Sequence, residues 1–160
     1  MKNLVLQLVF LCLISINYGC TSQDVLAVVS LDNKWGYINT KGEQVISPKY
    51  DYALMFTEGI AVVELDGKYG CINTKGENVV PFQYDHIGIF SDGLAPVDVG
   101  GKCGYINKKG EEVIPLKYDN NGIFSRGLAA VELDGKWGYI NTKGEEIVPL
   151  KYDEAFNLVN

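Results

Sequence analysis

The sequence contains a single histidine, His86, and has no cluster of basic residues among its 160 positions. A zinc site built on several histidines is therefore excluded, and no C-x₂-C spacing arranges the cysteines as metal ligands. Nucleic-acid binding is disfavoured because phosphate contacts need clustered Lys and Arg, whereas the formal net charge here is −6. The G-x-S-x-G, P-loop and G-x-G-x-x-G motifs are also missing. We therefore predict no catalytic residue, no metal and no cofactor.

The N-terminal segment has the pattern of a signal peptide. The apolar stretch from Leu4 to Ile16 is shorter than the roughly 20 residues that span a bilayer. It ends near Gly19-Cys20, which resembles a bacterial lipoprotein signal, where a small residue precedes the lipidated cysteine. We predict that residues 1–19 are removed and that residues 20–24 form a short tether. Simple secretion with cleavage nearby, and a retained anchor, are the alternatives.

One segment recurs four times with a constant period of 34 residues, and its glycines mark that period. The four copies are KWGYINTKGEQVISPKYD from Lys34, KYGCINTKGENVVPFQYD from Lys68, KCGYINKKGEEVIPLKYD from Lys102 and KWGYINTKGEEIVPLKYD from Lys136. The repeats span about residues 25–58, 59–92, 93–126 and 127–160. A helical repeat of this period is excluded, because each unit carries several Gly and a Pro inside its periodic segments.

Each unit is predicted to form three β-strands. The first strand alternates, and in the second copy Ala61, Val63 and Leu65 are expected to face the core. An Asp-Gly, Gly-Gly or Asp-Asn pair then predicts a two-residue hairpin turn with positive φ. The Trp-Gly strand follows, and a Lys-Gly turn leads to a third strand whose Pro is expected at a strand end or on a sheet edge. A variable connector that keeps one Phe joins consecutive units.

The pattern KWGYINxKGEEVIPxKYD, followed by a connector and GLAxV, is similar to that of WG-repeat (WG β-repeat) proteins, and the resemblance covers residues 25–160. Tyr69 and Cys103 stand where the pattern has Trp. The resemblance implies an all-β fold, a solenoid-like tandem array of four three-stranded β-hairpin repeats. It also implies export from a bacterial cell and no established enzymatic activity. Stacking explains the repetition physically, because a single unit cannot cover both of its faces.

The acidic residues recur at fixed repeat positions, which favours a structural role over a catalytic pair. The Asp after each Tyr, such as Asp51, is predicted to cap a local turn. Cys71 and Cys103 replace aromatic residues and are predicted to be small buried side chains. The aromatic residues of the Trp-Gly strands are the candidate ligand platform, although a place in the core is the alternative. These residues are Trp35, Tyr37, Tyr69, Tyr105, Trp137 and Tyr139.

Two functions are therefore expected for an exported protein with no enzymatic activity. The first is a repeat scaffold that binds a protein partner at the bacterial cell envelope through its variable connectors. The alternative is a module that binds a glycan or another small ligand on the aromatic residues. Membrane attachment is expected only through a lipid on Cys20. Without that lipid, the protein is expected to be periplasmic or secreted.

Replacing Cys20 should abolish attachment of lipid to the chain. A fatty-acid probe supplied to growing cells should label the wild-type protein and leave Cys20→Ser unlabelled, because the serine hydroxyl does not replace the acceptor thiol. The matched control is Cys103→Ser, which keeps Cys20 and should be labelled like the wild type. Equal labelling of the Cys20→Ser protein would exclude lipidation at this site.

Overall fold

The computed structural model describes residues 25–156, and its regular elements are all β-strands arranged in four antiparallel sheets. The predicted all-β tandem array is confirmed. The first sheet contains β1 (Ala27–Leu31), β2 (Lys34–Ile38) and β3 (Gln44–Tyr50). The second contains β4 (Tyr52–Ala53), β5 (Ile60–Leu65), β6 (Lys68–Asn73) and β7 (Asn78–Tyr84). The third contains β8 (His86–Ile87), β9 (Leu94–Val99), β10 (Lys102–Asn107) and β11 (Glu112–Tyr118). The fourth contains β12 (Asn120–Asn121), β13 (Leu128–Leu133), β14 (Lys136–Asn141) and β15 (Glu146–Tyr152).

The predicted signal peptide, the tether at residues 20–24 and the lipidation site at Cys20 lie outside the described residues. Within residues 25–156, no helix is long and apolar enough to cross a membrane. The predictions about export and anchoring therefore stay predictions.

The connector adds a fourth strand to three of the four sheets, which the sequence did not predict. Directly after Tyr50 the chain crosses to the next unit, where the Asp51 amide donates to the Glu64 carbonyl at 2.9 Å. Three residues further on, Leu54 N–H donates to the Val62 carbonyl at 2.9 Å. The second, third and fourth hairpin units are thus each hydrogen-bonded to the connector of the preceding unit. The connector is consequently part of the junction between units and not merely a loop.

Both predicted turns are present. Asp66 and Gly67 have φ of 52° and 77°, and Asp32 and Asn33 in the first copy have φ of 50° and 61°. Positive φ at both central residues defines the type I′ turn that suits the twist of a hairpin. At the second turn, Gly42 has φ 80°. These local turn signals in the sequence fix the register of each hairpin.

The glycine of the Trp-Gly pair makes room for a bulge in the neighbouring strand. In the third sheet Cys103 pairs with Tyr118 and Tyr105 with Ile114, so Gly104 alone opposes the intervening stretch of β11. A Cβ on Gly104 would lie 2.5 Å from the Ile114 carbonyl oxygen. Pro115 lies within this bulge, and β11 is an edge strand, which agrees with the predicted edge position of the proline.

Both faces of each inner sheet are buried, which corrects the expectation of one core side. Ala61 and Val63 pack on the first sheet, as predicted. Ile60 and Val62, on the opposite face of the same strand, pack on the third sheet. We call the face toward the following sheet the forward face and the face toward the preceding sheet the back face. A sheet in the middle of a stack has no solvated face, so alternation along its first strand does not mark an exposed side.

The Phe that recurs in the connectors packs into the interior of the array. Phe90 and Phe124 are buried, and Phe56 is half-buried. The Phe124 ring lies 4.7 Å from the Tyr105 ring, and Phe56 lies at the same distance from Tyr37. A large apolar side chain therefore holds each of these three connectors against the fold.

A methyl group on the Trp-Gly glycine should destabilise the protein more than one on a turn glycine. Gly104→Ala should lower the free energy of unfolding by about 3 kcal/mol, because backbone atoms of β11 must move. Gly135→Ala, with φ 72° and no atom within 4 Å of its Cβ, should cost about 1–2 kcal/mol from backbone strain alone. Urea unfolding followed by intrinsic fluorescence compares the two. Equal losses would show that the bulge can relax at little cost.

Candidate binding surfaces

An aspartate joins each unit to the next one. The Asp85 carboxylate accepts from Lys68 Nζ at 2.5 Å in its own unit, and its other oxygen accepts from the Gly100 amide at 2.7 Å in the hairpin turn of the following unit. Asp51 makes the same two contacts with Lys34 and the Asp66 amide. The predicted capping role is therefore present, but the capped turn belongs to the following unit and is not local. We call this arrangement the aspartate clamp.

The clamp perturbs the acidity of its members. The side-chain hydrogen bond from Lys34 and the amide of Asp66 hold the pKa of the Asp51 carboxyl below its usual value of 3.8. The pKa values of Asp85 and Asp119 are lowered for the same reasons. Lys34 correspondingly has a raised pKa, chiefly from its hydrogen bond to Asp51. The charged form of each clamp aspartate is thus the form that the folded protein favours.

The six aromatic residues predicted as one platform occupy two different environments. Tyr37 and Tyr105 are fully buried in the forward faces of their sheets. Their hydroxyl groups donate to the carbonyls of Leu54 and Gly122 at 2.7 Å, and burial raises the pKa of both. Tyr139, in the last sheet, is half-buried and donates to the Phe156 carbonyl at 2.8 Å. These three tyrosines hold the connectors and do not form an open platform.

The other three residues, Trp35, Tyr69 and Trp137, are half-buried at the surface. Connector residues extend the row, because Tyr52 lies between Trp35 and Tyr69, with ring centroids 6.5 Å and 6.4 Å away. His86 continues it at 5.4 Å from Tyr69. We call Trp35, Tyr52, Tyr69 and His86 the aromatic stripe. It crosses the first three sheets near the two-residue hairpin turns that precede their Trp-Gly strands.

The stripe is interrupted where Cys103 stands in place of Trp. A cavity of about 400 Å³ is present at this point, and we call it the Cys103 pocket. Its polar lining includes His86, Asp98 and Asn120, while Pro96 and Ile123 contribute apolar surface. An aromatic side chain at position 103 would occupy space that is open here. Cys103, which departs from the repeat, lines this pocket together with the small residues Gly88 and Gly122.

The Cys103 thiol is not arranged as a nucleophile. Its Sγ lies 3.4 Å from Asp98 Oδ2, and burial together with this carboxylate raises the pKa of the thiol to about 11. Burial raises the pKa of Cys71 to about 12. Both cysteines are buried free thiols, in agreement with their predicted packing role. Among residues 25–156, no group of three or more His, Cys, Asp and Glu side chains is placed to hold a metal ion.

The first two connectors enclose a second, apolar cavity of about 320 Å³. Met55 and Ile89 lie at its edge and are 70% and 44% exposed, whereas Ile60, Val62 and Phe90 are buried. We call this cavity the connector groove, and its lining consists of Leu54, Met55, Thr57, Ile60, Val62, Ile89 and Phe90. It lies near the start of β5, whereas the aromatic stripe crosses the other end of that strand. The two surfaces are therefore spatially distinct.

Sequence reasoning missed the connector members of these surfaces. Tyr52 and His86 occupy the same repeat position, directly after the Tyr-Asp pair. That position faces Glu64 and Asp98, which in turn face Tyr69 and Cys103 across the sheet. The 34-residue period therefore shows that Tyr52 and His86 are equivalent. Only the pairing between consecutive units brings these two residues beside the Trp-Gly strand.

Four similar antiparallel sheets, each packed on the next by its forward face, define a tandem β-repeat protein. A family model for the WG containing repeat matches the chain over residues 35–69, 69–103, 104–137 and 137–160. The chain therefore belongs to the WG-repeat family, and the resemblance noted in its sequence is confirmed. A search of curated proteins finds no match to the chain.

Acid should weaken the stack through the aspartate clamps. Because the folded-state pKa values of Asp51, Asp85 and Asp119 are lowered, their contribution is complete above about pH 5. It is lost as the pH falls through and below the usual value near 3.8. The urea midpoint of the triple Asp→Asn variant should therefore change less between pH 5 and pH 3 than that of the wild type.

Asp153→Asn is the matched control for this titration. Asp153 pairs with Lys136 at 2.6 Å, and within residues 25–156 no turn amide of a following unit reaches it. Its side chain is 89% exposed, so its removal should leave the pH dependence close to that of the wild type. If the triple variant and Asp153→Asn have the same slope, the amide contacts of the clamp do not couple the units.

Proposed function

We propose that this WG-repeat protein is an exported scaffold without catalytic activity that binds a protein partner at the bacterial cell envelope through its connector groove. The observation that carries the proposal is the groove itself, an apolar cavity bounded by the exposed side chains of Met55 and Ile89. Exposed apolar residues around a concave apolar surface are typical of protein interaction sites. The buried aromatic and aliphatic side chains beneath it give that surface a rigid base.

The expected occupant is a peptide segment that carries one bulky apolar side chain next to basic residues. The apolar side chain matches the lining of the groove, which is almost free of polar groups. Basic neighbours match the overall charge of −6, which attracts cationic partners and repels acidic ones. Membrane attachment through Cys20, where the signal-like segment ends, would keep the scaffold at the envelope.

A second candidate function is glycan binding on the aromatic stripe. Specific support comes from the contact between consecutive rings and from the 40% exposure of Tyr52. The stripe leads to the Cys103 pocket, where Asp98 and Asn120 present a carboxylate and an amide to hydrogen-bond hydroxyl groups. His86, which lies 5.4 Å from Tyr69 at the end of the stripe, is part of the lining of this pocket.

A charged residue placed in the connector groove should weaken partner binding strongly without unfolding the protein. Met55→Asp and Ile89→Asp should each weaken binding about 30-fold or more, because a central apolar contact at an interface is worth about 2 kcal/mol. The partner is first captured from native envelope with the wild-type protein and then purified, so that dissociation constants can be measured. Binding should also weaken with added salt, because the attraction is partly electrostatic.

The matched control is Val113→Asp, which places the same charge on β11 at a site that is 39% exposed. It should bind the partner like the wild type. Tyr52→Ala and Cys103→Trp test the second candidate, with an oligosaccharide array as the readout. If Met55→Asp and Ile89→Asp bind normally while Tyr52→Ala loses a ligand, the groove proposal is wrong and the aromatic stripe is the binding surface.

A further inference from the structure

The two ends of the described array carry complementary halves of the junction that joins consecutive units. Each internal junction has three components: a connector strand, a pair of packed faces and an aspartate clamp. The same three components recur at all three internal junctions. Each end of the described array has only one of the two partners that form each component.

The connector strand is the first component. β4, β8 and β12 each supply the outermost strand of the following sheet, so the second, third and fourth sheets have four strands and the first has three. The corresponding residues in the fourth unit are Glu154 and Ala155, and in residues 25–156 they pair with no strand. The first sheet thus lacks a connector strand. The last unit has the residues that would form such a strand, but they are unpaired within the described residues.

The packed faces are the second component. Tyr50, Tyr84 and Tyr118 on the forward faces are 1%, 5% and 3% exposed, but the equivalent Tyr152 of the last sheet is 47% exposed. On the back faces, Ala61, Ala95 and Ala129 are buried, while the equivalent Ala27 of the first sheet is exposed. The forward face of the fourth sheet and the back face of the first sheet therefore have the apolar pattern of an internal junction without its burial.

The aspartate clamp is the third component. Asp51, Asp85 and Asp119 accept a turn amide of the next unit at 2.9 Å, 2.7 Å and 2.8 Å. Asp153 keeps the pairing with its own lysine, but in the described residues it accepts no such amide. The turn at Asp32 and Asn33 has the same type I′ backbone as the turns that are capped. It is the equivalent recipient at the other end of the array.

We propose that the fourth unit of one molecule docks onto the first unit of a second copy of this chain, which continues the stack. By equivalence with Tyr52 and Ala53, which face Glu64 and Val63, Glu154 would face Ser30 and Ala155 would face Val29 of the next molecule. The Asp153 carboxylate would accept the Asp32 amide. The occupant is a second copy because the internal junctions of this same chain already show that these two surfaces fit.

Such an interface is heterologous, since it joins different surfaces of two identical molecules. Addition of further copies at the two ends gives head-to-tail oligomers. Each molecule carries a net charge of −6, so repulsion between copies opposes association at low ionic strength. Self-association should therefore strengthen with added salt, whereas binding of a basic partner in the connector groove should weaken. The proposal does not depend on the connector groove.

A disulfide between the two ends provides a direct test. Residues that face each other in antiparallel strands have Cα atoms about 4.5–5.5 Å apart, within the range of a disulfide. In the full chain carrying Cys12→Ser and Cys20→Ser, the Ser30→Cys and Glu154→Cys double variant should give a ladder of covalent oligomers under mild oxidation. The steps of the ladder should correspond to the mass of one monomer. Salt should increase the yield.

The matched control replaces Glu154→Cys by Lys143→Cys, which places the thiol on the exposed Lys-Gly turn of the fourth unit. It should give only the background of random collisions. Ladders of equal yield in both variants would overturn the proposal. A monomer cross-linked within itself would also overturn it, since that product requires the array to close. Absence of any product above monomer would mean that the two ends do not meet.

A second measurement needs no added cysteine pair. Ala27→Lys places a charge on the exposed back face of the first sheet, where it costs the monomer little but must be buried at the proposed junction. Sedimentation velocity of the Cys20→Ser protein should show an apparent mass that rises with concentration. Ala27→Lys should remove this rise, and Val113→Lys should retain it. Identical behaviour of Ala27→Lys and Val113→Lys, with or without a rise, would refute head-to-tail docking.

Discussion

Every sheet of this array has two apolar faces and can bury them only against another sheet. The forward face carries large side chains such as Tyr105 and Ile114, and the back face carries small or branched ones such as Ala95 and Val97. This difference makes one face complementary to the other and makes stacking directional. The aspartate clamp and the connector strand then add hydrogen bonds across the same junctions. The hairpin turns, the Trp-Gly bulge and the connector path all serve this stacking of unlike faces.

The sequence predicts those parts of the fold that local chemistry determines. Positive φ at pairs such as Asp66-Gly67 follows from residue type, and the 34-residue period follows from repetition, so the turns, the strands and the number of units were predicted correctly. The fourth strand was missed because two residues carry no periodicity and their pairing partner lies in another unit. The second buried face was missed because alternation along a strand separates its faces without showing what covers each of them.

The candidate surfaces were less predictable because they depend on how units are placed beside each other. Tyr37 and Tyr69 both lie on Trp-Gly strands, yet one is fully buried beneath a connector and the other is half-exposed beside one. They occupy repeat positions two residues apart, on the same face of the strand, and alternation along the strand does not show which of the two positions a connector covers. The Cys103 pocket lies at a departure from the repeat that is visible in the sequence, although its other lining residues come from neighbouring units.

Stacking also explains where this protein can vary without loss of stability. The side chains between sheets are held by two neighbours, so a change there affects a junction as well as a unit. The two ends of the strands are free of that constraint, and these are the places where the connector groove and the aromatic stripe lie. The outer faces of the first and last sheets are under the opposite constraint. They retain the residue pattern of a junction, Tyr152 at one end and Ala27 at the other, although the described chain buries neither. A surface that keeps the pattern of an interface without a neighbour is explained most simply if a neighbour of the same kind binds there.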